Sequence, residues 1–378
     1  MRLRHGNVFR RATAVLAALL TGSALTGPAP AAAEPVDPYP IVTATVWAHS
    51  PTTAEYQPGW GYTVNSTDGA VTIQRTGVGA YRVILAEAAT IGGITHVVPY
   101  GGGPTICTVA GSYPVLNGTD HIILVRCFGA GGAAVDSRFV ATFTNVRQIS
   151  QGRLAYFSID QAVPTGVRTL PASLRYDSTG GTISYERLSV GRYRYYKNPN
   201  PASENGPIFP MVHVTAYGTS AVHCQADWPD GGEVYCTNAA GQPVDARFAV
   251  TYGSRVDLVG RATGTRFASG TLYRDWISGG SIGGDSYNST LPGYGGASGT
   301  VLGTGRYQMT FQGTGTSYGT AFVNAHRGMF ASDPHGYCVL AGWSPVGTAE
   351  SIRVNCYTYL GVPTNLNARI SFTTWPVT

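Results

Sequence analysis

The chain has 378 residues, 25 Lys and Arg against 20 Asp and Glu, a formal charge of +5, and an abundance of glycine (50) and proline (23). Four of the basic residues (Arg2, Arg4, Arg10, Arg11) and none of the acidic ones precede Glu34, which leaves 21 against 20 for the remainder. With charge so nearly balanced and Lys197 the only lysine, the basic stripe needed to follow a phosphate backbone is excluded, and nucleic acid is not an expected partner.

Residues 1–33 read as a secretory signal peptide: a basic start, an apolar run over residues 12–20, and a small-residue stretch ending Ala31-Ala32-Ala33. Arg10-Arg11 is followed by Ala-Thr-Ala-Val, a poor fit to twin-arginine export. No later run is long and apolar enough to span a bilayer. The expected product is extracellular, with no membrane association.

From residue 41 the chain repeats itself three times, over 41–146, 153–252 and 265–378, each near the usual domain size. Each copy opens on a turn-like triplet: Asn65-Ser66-Thr67, Asp177-Ser178-Thr179 and Asn288-Ser289-Thr290. A Gly-x-Tyr follows: Gly79 with Tyr81, Gly191 with Tyr193, Gly305 with Tyr307. Next come His96-Val-Val-Pro-Tyr100 and His213-Val-Thr-Ala-Tyr217, for which Val323-Asn-Ala-His326 is the drifted third version. Copies one and two then close on a Cys followed nine residues later by Asp and eleven later by Arg: Cys127, Asp136 and Arg138, then Cys236, Asp245 and Arg247. In copy three this pair reads as Asn367 with Arg369.

Periodicity inside the copies is two. Val244, Ala246, Phe248, Val250 and Tyr252 alternate with polar or small residues, as do Val135, Ser137, Phe139, Ala141 and Phe143. Copy two offers about eight strands, around 153–160, 172–176, 182–187, 192–197, 209–217, 221–226, 232–237 and 246–252. Residues 277–305 carry ten glycines and are expected to form a long irregular loop. The fold class is therefore all-β: three tandem antiparallel β-sandwich repeats, immunoglobulin-like or jelly-roll-like. The Gly-bearing joints, 147–152 and 253–264, predict that each copy folds by itself. Six cysteines in an exported chain pair most simply within copies, as Cys107–Cys127, Cys224–Cys236 and Cys338–Cys356.

Chemistry is harder to find. Asp136 with Arg138 and Asp245 with Arg247 lack a repeated His, Ser or second acid beside them, so a structural role is expected: Asp holding the turn before a strand, Arg bridging to a neighbour. The histidines show no metal-ligand spacing and oxidised cysteines cannot ligate zinc, so neither metal nor cofactor is expected. No nucleophile elbow or phosphate loop occurs. Each Cys pair does enclose an aromatic residue close before a proline: Tyr113-Pro114, Trp228-Pro229 and Trp343-Ser-Pro345. Tyr113, Trp228 and Trp343 are therefore the candidate ligand contacts, flat rings suited to a polysaccharide or cell-surface component. The expected function is that of a secreted, non-enzymatic binding, surface or matrix protein. A hydrolase with its site at a seam between repeats, and a purely structural or assembly protein, are the alternatives.

Overall fold

The computed structural model describes residues 41–59, 61–149, 151–198, 211–226, 232–261, 264–273, 286–291, 295–326 and 335–375. The segment read as a signal peptide and Trp228 lie outside these residues. Residues 39–378 form one compact unit.

Apart from one 3-10 turn, Ala172–Leu174, the described elements are strands. Copy one supplies β1 (Val42–Ala48), β2 (Glu55–Tyr56), β3 (Thr63–Asn65), β4 (Val71–Gly77), β5 (Ala80–Leu85), β6 (Ile94–Tyr100), β7 (Thr105–Pro114), β8 (His121–Gly129) and β9 (Arg138–Asn145). Copy two supplies β10 (Arg153–Ser158), β11 (Arg168–Thr169), β12 (Arg175–Asp177), β13 (Thr182–Ser189), β14 (Arg192–Asn198), β15 (Met211–Tyr217), β16 (Val222–Ala226), β17 (Glu233–Asn238) and β18 (Arg247–Ser254). Copy three supplies β19 (Phe267–Leu272), β20 (Ser286–Asn288), β21 (Ala297–Gly303), β22 (Arg306–Phe311), β23 (Gly319–His326), β24 (Tyr337–Val346), β25 (Ala349–Tyr357) and β26 (Asn367–Thr374). Seven of the eight strands expected in copy two are present over their described residues; the one expected at 172–176 is a 3-10 turn, Ala172–Leu174, followed by β12, and β11 is additional. The Gly-rich stretch 277–305 is not one irregular loop, because it contains β20 and β21, whose Ala297–Gly303 pairs with β22.

Within a copy, the alternating strands bury one face in a shared core and make a two-layer sandwich. In copy one Val42, Ala44 and Val46 of the inner layer meet Val83, Val109, Ile123 and Val125 of the outer layer. Ala246, Phe248, Val250 and Tyr252 do the same in copy two, as their alternation predicts. Each outer layer is stapled between adjacent strands by its own disulfide: Cys107–Cys127, Cys224–Cys236 and Cys338–Cys356.

The copies are not beads on a string. Every sheet joins the outer layer of one copy to the inner layer of the next by a parallel contact. Tyr217 of β15 aligns with Val109 of β7, Ala226 of β16 with His326 of β23, and Leu340 of β24 with Tyr100 of β6. Copy one thus continues into two, two into three and three into one, closing a ring with pseudo-threefold symmetry. The independence suggested by the joints gives way to three shared sheets, so the inner strands are buried on both faces.

The second face is polar but buried. On the pseudo-threefold axis the matched positions of β6, β15 and β23 are His96, His213 and Phe322, with ring centroids 6.3, 6.0 and 4.6 Å apart. Two positions on, the matched residues are Thr215, Asn324 and Val98, each facing the ring of the preceding copy. His96 Nδ1 lies 3.0 Å from Thr215 Oγ1 and its Nε2 2.7 Å from Thr251 Oγ1. His213 Nδ1–H donates to Asn324 Oδ1 at 2.9 Å. Phe322 and Val98 share one apolar cluster. Where the third ring loses its nitrogens, its partner loses its oxygen.

Burial holds these imidazoles neutral. His96 is driven well below the usual histidine range by desolvation and by its neighbour His213. His213, near the buried Arg369, and His121 are lowered to about 4, mainly by burial. A lowered folded-state value means the unfolded chain takes up protons first. For His213 and His121, stability present above pH ~6.5 is therefore lost as pH falls toward ~4, by roughly 3 kcal/mol each. Glu350, pushed up to about 7 by burial, acts with the opposite sign between its unfolded value and 7 and offsets about one such histidine, while His223, also lowered to about 4 by burial, adds to the loss. Melting curves at pH 7.5, 5.5 and 4 should shift steadily downward; a midpoint unchanged to pH 4 would contradict neutral buried imidazoles.

Candidate functional site

The repeated motifs are accounted for by folding. Asn65 and Asn288 accept hydrogen bonds from the backbone and hydroxyl of Thr67 and Thr290, and Asp177 does the same for Thr179. The serine between them accepts the first-strand amide of Thr43, Leu154 or Phe267. The glycines of Gly-x-Tyr have φ of +63°, +67° and +66°. A Cβ there would meet the following cystine carbonyl at 2.4 Å in all three copies, so only glycine fits.

The Asp after the Cys completes the same device. Asp136 accepts from the amide of Gly79, the hydroxyl of Tyr81 and both arms of Arg75. Asp245 repeats this with Gly191, Tyr193 and Arg187. The guanidinium holds each carboxyl below the usual aspartate range. In copy three the acceptor for Gly305 and Tyr307 is Asn365. The sequence alignment placed it two residues late, at Asn367, because the motif was matched by its arginine. Strand register also shows why the charge disappears: Arg75 and Arg187 pair with Tyr81 and Tyr193, whereas Val301 pairs with Tyr307. Without a guanidinium, the acid has become an amide. The aspartates hold the turn as expected; their arginine partner is the upstream one, and Arg138 instead lies over the ring of Tyr100 at 5.2 Å.

Not repeated among the described residues is a cluster of aromatic rings where copy three meets copy one. Trp47 packs against Tyr62 (4.7 Å between centroids), Tyr100 (4.9 Å) and Trp343 (5.1 Å), and Tyr100 meets Trp343 at 5.1 Å. His49 stacks on Tyr62 at 4.5 Å and meets Tyr56 edge-on at 5.1 Å. Trp47 is the penultimate residue of β1, Tyr100 ends β6 and Trp343 stands on β24, so the shared sheet sets their spacing. Next to Tyr62, a Cβ on Gly61 would reach 3.8 Å from the exposed ring of Tyr318, which carries the aromatic surface toward Trp375. Tyr62 and Tyr318 are 37% and 43% exposed, and Trp47, Tyr100 and Trp343 are half-buried. The matched positions in the other copies are Ser158 and Thr271 for Trp47, and Ser112 for Trp343. Among the described residues the Trp47–Tyr100–Trp343 cluster occurs at this seam alone.

Of the sequence candidates, Trp343 belongs to this cluster, Tyr113 does not, and Trp228 lies outside the described residues. Tyr113 is exposed at 45% on the β7–β8 hairpin and pairs with Ile122, while Trp343 pairs with Ile352, which corresponds to Ile123 of copy one. The two rings are one residue out of phase and leave opposite faces of their strands. Trp47 and Tyr62 leave no mark in the sequence because they do not recur, whereas Tyr100 recurs as Tyr217 and reads as part of the repeated fold. Among the described residues no group of three or more His, Cys, Asp or Glu is arranged for a metal ion, and no helix is long and apolar enough to cross a membrane. The three disulfides fit an oxidising compartment. Compared with known proteins, the chain matches no family model, and no curated protein and no solved structure is significantly similar to it.

Proposed function

We propose that the protein is a secreted carbohydrate-binding protein whose contact surface is the aromatic cluster at the seam between copies three and one. The observation that supports this is the tract of half-buried and exposed rings from Trp343 through Trp47 to Tyr62, held by a rigid shared sheet. Flat rings fixed in place bind the apolar faces of sugar rings at little entropic cost. A site at a single seam is also where a hydrolase would sit. That second reading calls for a pair of carboxyl groups flanking the scissile bond, and no Asp or Glu belongs to the cluster among the described residues.

Retention on insoluble polysaccharides tests the proposal. Tyr62→Ala is expected to weaken retention about tenfold, a stacked ring contributing on the order of 1 kcal/mol, with little loss of stability because the ring is exposed. Tyr113→Ala should leave retention unchanged. Equal losses for the two variants would sink the seam as the site, and release of reducing ends would favour the hydrolase.

A further inference from the structure

We infer that the seam selects anionic saccharides, a specificity that rests on the binding function proposed above. Two arginines border the rings. Arg138 on β9 is the cross-strand partner of Tyr100, which aligns with Leu340 across the parallel contact between the copies, and two residues past Leu340, beyond a bulge, Gly342 pairs with Arg353 on β25. Glycines make room for both guanidinium groups. A Cβ on Gly101 would come within 3.1 Å of Arg138 Nη2, and one on Gly342 within 3.3 Å of Arg353 Nη2 and 3.9 Å of the Tyr100 hydroxyl.

The two charges thus lean toward Tyr100 from opposite sides. They also act on it: burial raises the Tyr100 phenol above its ordinary value, and Arg138 and Arg353 pull against that shift. Both arginines are exposed, and neither forms an ion pair among the described residues. The acid nearest Arg138 in sequence, Asp136, is committed to Arg75, and the one nearest Arg353, Glu350, is buried and accepts from the amide of Thr316. Other strand arginines are ion-paired, among them Arg187 with Asp245, and Arg192 and Arg194 with Glu233. Two unpaired guanidinium groups beside an aromatic platform match a sugar ring that bears an oxyanion, with stacking from the rings and charge-assisted hydrogen bonds from the arginines.

Affinity electrophoresis of the full chain in polygalacturonate, its methyl ester and a sulfated galactan tests this. The carboxylate polymer is expected to bind at least tenfold more tightly than the ester, with the gap narrowing as salt screens the charges. The sulfated polymer distinguishes a general oxyanion site, if it binds equally, from a carboxylate-selective one, if it does not; either supports the inference. Arg138→Gln with Arg353→Gln should bring acid and ester to one affinity while Tyr62-dependent binding persists. Equal affinity of the unaltered protein for acid and ester, still lost in Tyr62→Ala, would overturn the anionic preference and leave the binding function standing. Absence of Tyr62-dependent binding to every polymer would overturn both.

Discussion

Expressed alone under oxidising conditions, residues 151–256 are expected to give no cooperative thermal transition and no dispersed amide spectrum. Copy two keeps its own core and its Cys224–Cys236 staple, yet it loses a sheet neighbour on each side. Its inner layer loses β7, and its outer layer loses β23. Met211, His213 and Thr251, buried on the axis of the intact chain, become exposed. Tyr217 loses the backbone of Thr95, to which its hydroxyl donates at 3.0 Å. Edge strands laid bare in this way pair with other chains, so aggregation is the expected fate. A sharp melting curve with a dispersed spectrum from the isolated copy would show that the shared sheets are dispensable.

The second large effect concerns the turn-holding acid. Asp136→Ala or Asp245→Ala removes an acceptor that serves an amide, a phenol and a guanidinium together. Hydrogen bonds to a charged group contribute about 1.5–3 kcal/mol each at most. With the carboxylates about a fifth exposed, a loss of about 3 kcal/mol per site is expected. Copy three supplies the converse. Asn365→Asp should destabilise, because Val301 offers the new charge no partner, and adding Val301→Arg should restore stability by rebuilding the pair of copies one and two. Denaturant titrations of the single and double variants decide the matter. A neutral Asn365→Asp, or a double variant no better than the single, would contradict the pairing.

How much of this was legible in the sequence follows from where the information lies. The strands of copy two, the within-copy disulfides and the structural role of Asp136 and Asp245 all leave local marks: alternation, matched spacing, a motif said twice. The ring closure leaves none. The second buried face of the inner strands is made of Thr142, Thr251, Ser371 and two histidines, small polar residues that on a strand look like a solvated surface. Their partners lie in another copy more than a hundred residues away: His96 with Thr215, 119 apart, and His213 with Asn324, 111 apart. The seam site was invisible for a related reason. Recurrence identifies what the fold needs, while Trp47 and Tyr62 stand where the copies differ, and only shared sheet register brings them and the recurrent Tyr100 to Trp343.

The measurement that tests the closed ring most directly is amide hydrogen exchange at the seams of the intact protein. The amides of Gly101 and Gly102 donate to Leu340 of copy three at 2.8 and 3.0 Å, and that of Gly218 donates to Val109 of copy one at 2.9 Å. In a ring of shared sheets these glycines exchange only when the whole unit opens, as slowly as Val125 in a sandwich core. Exchange at the rate of free loop amides while Val125 stays protected would show three separate sandwiches, and would remove the platform on which the aromatic site stands.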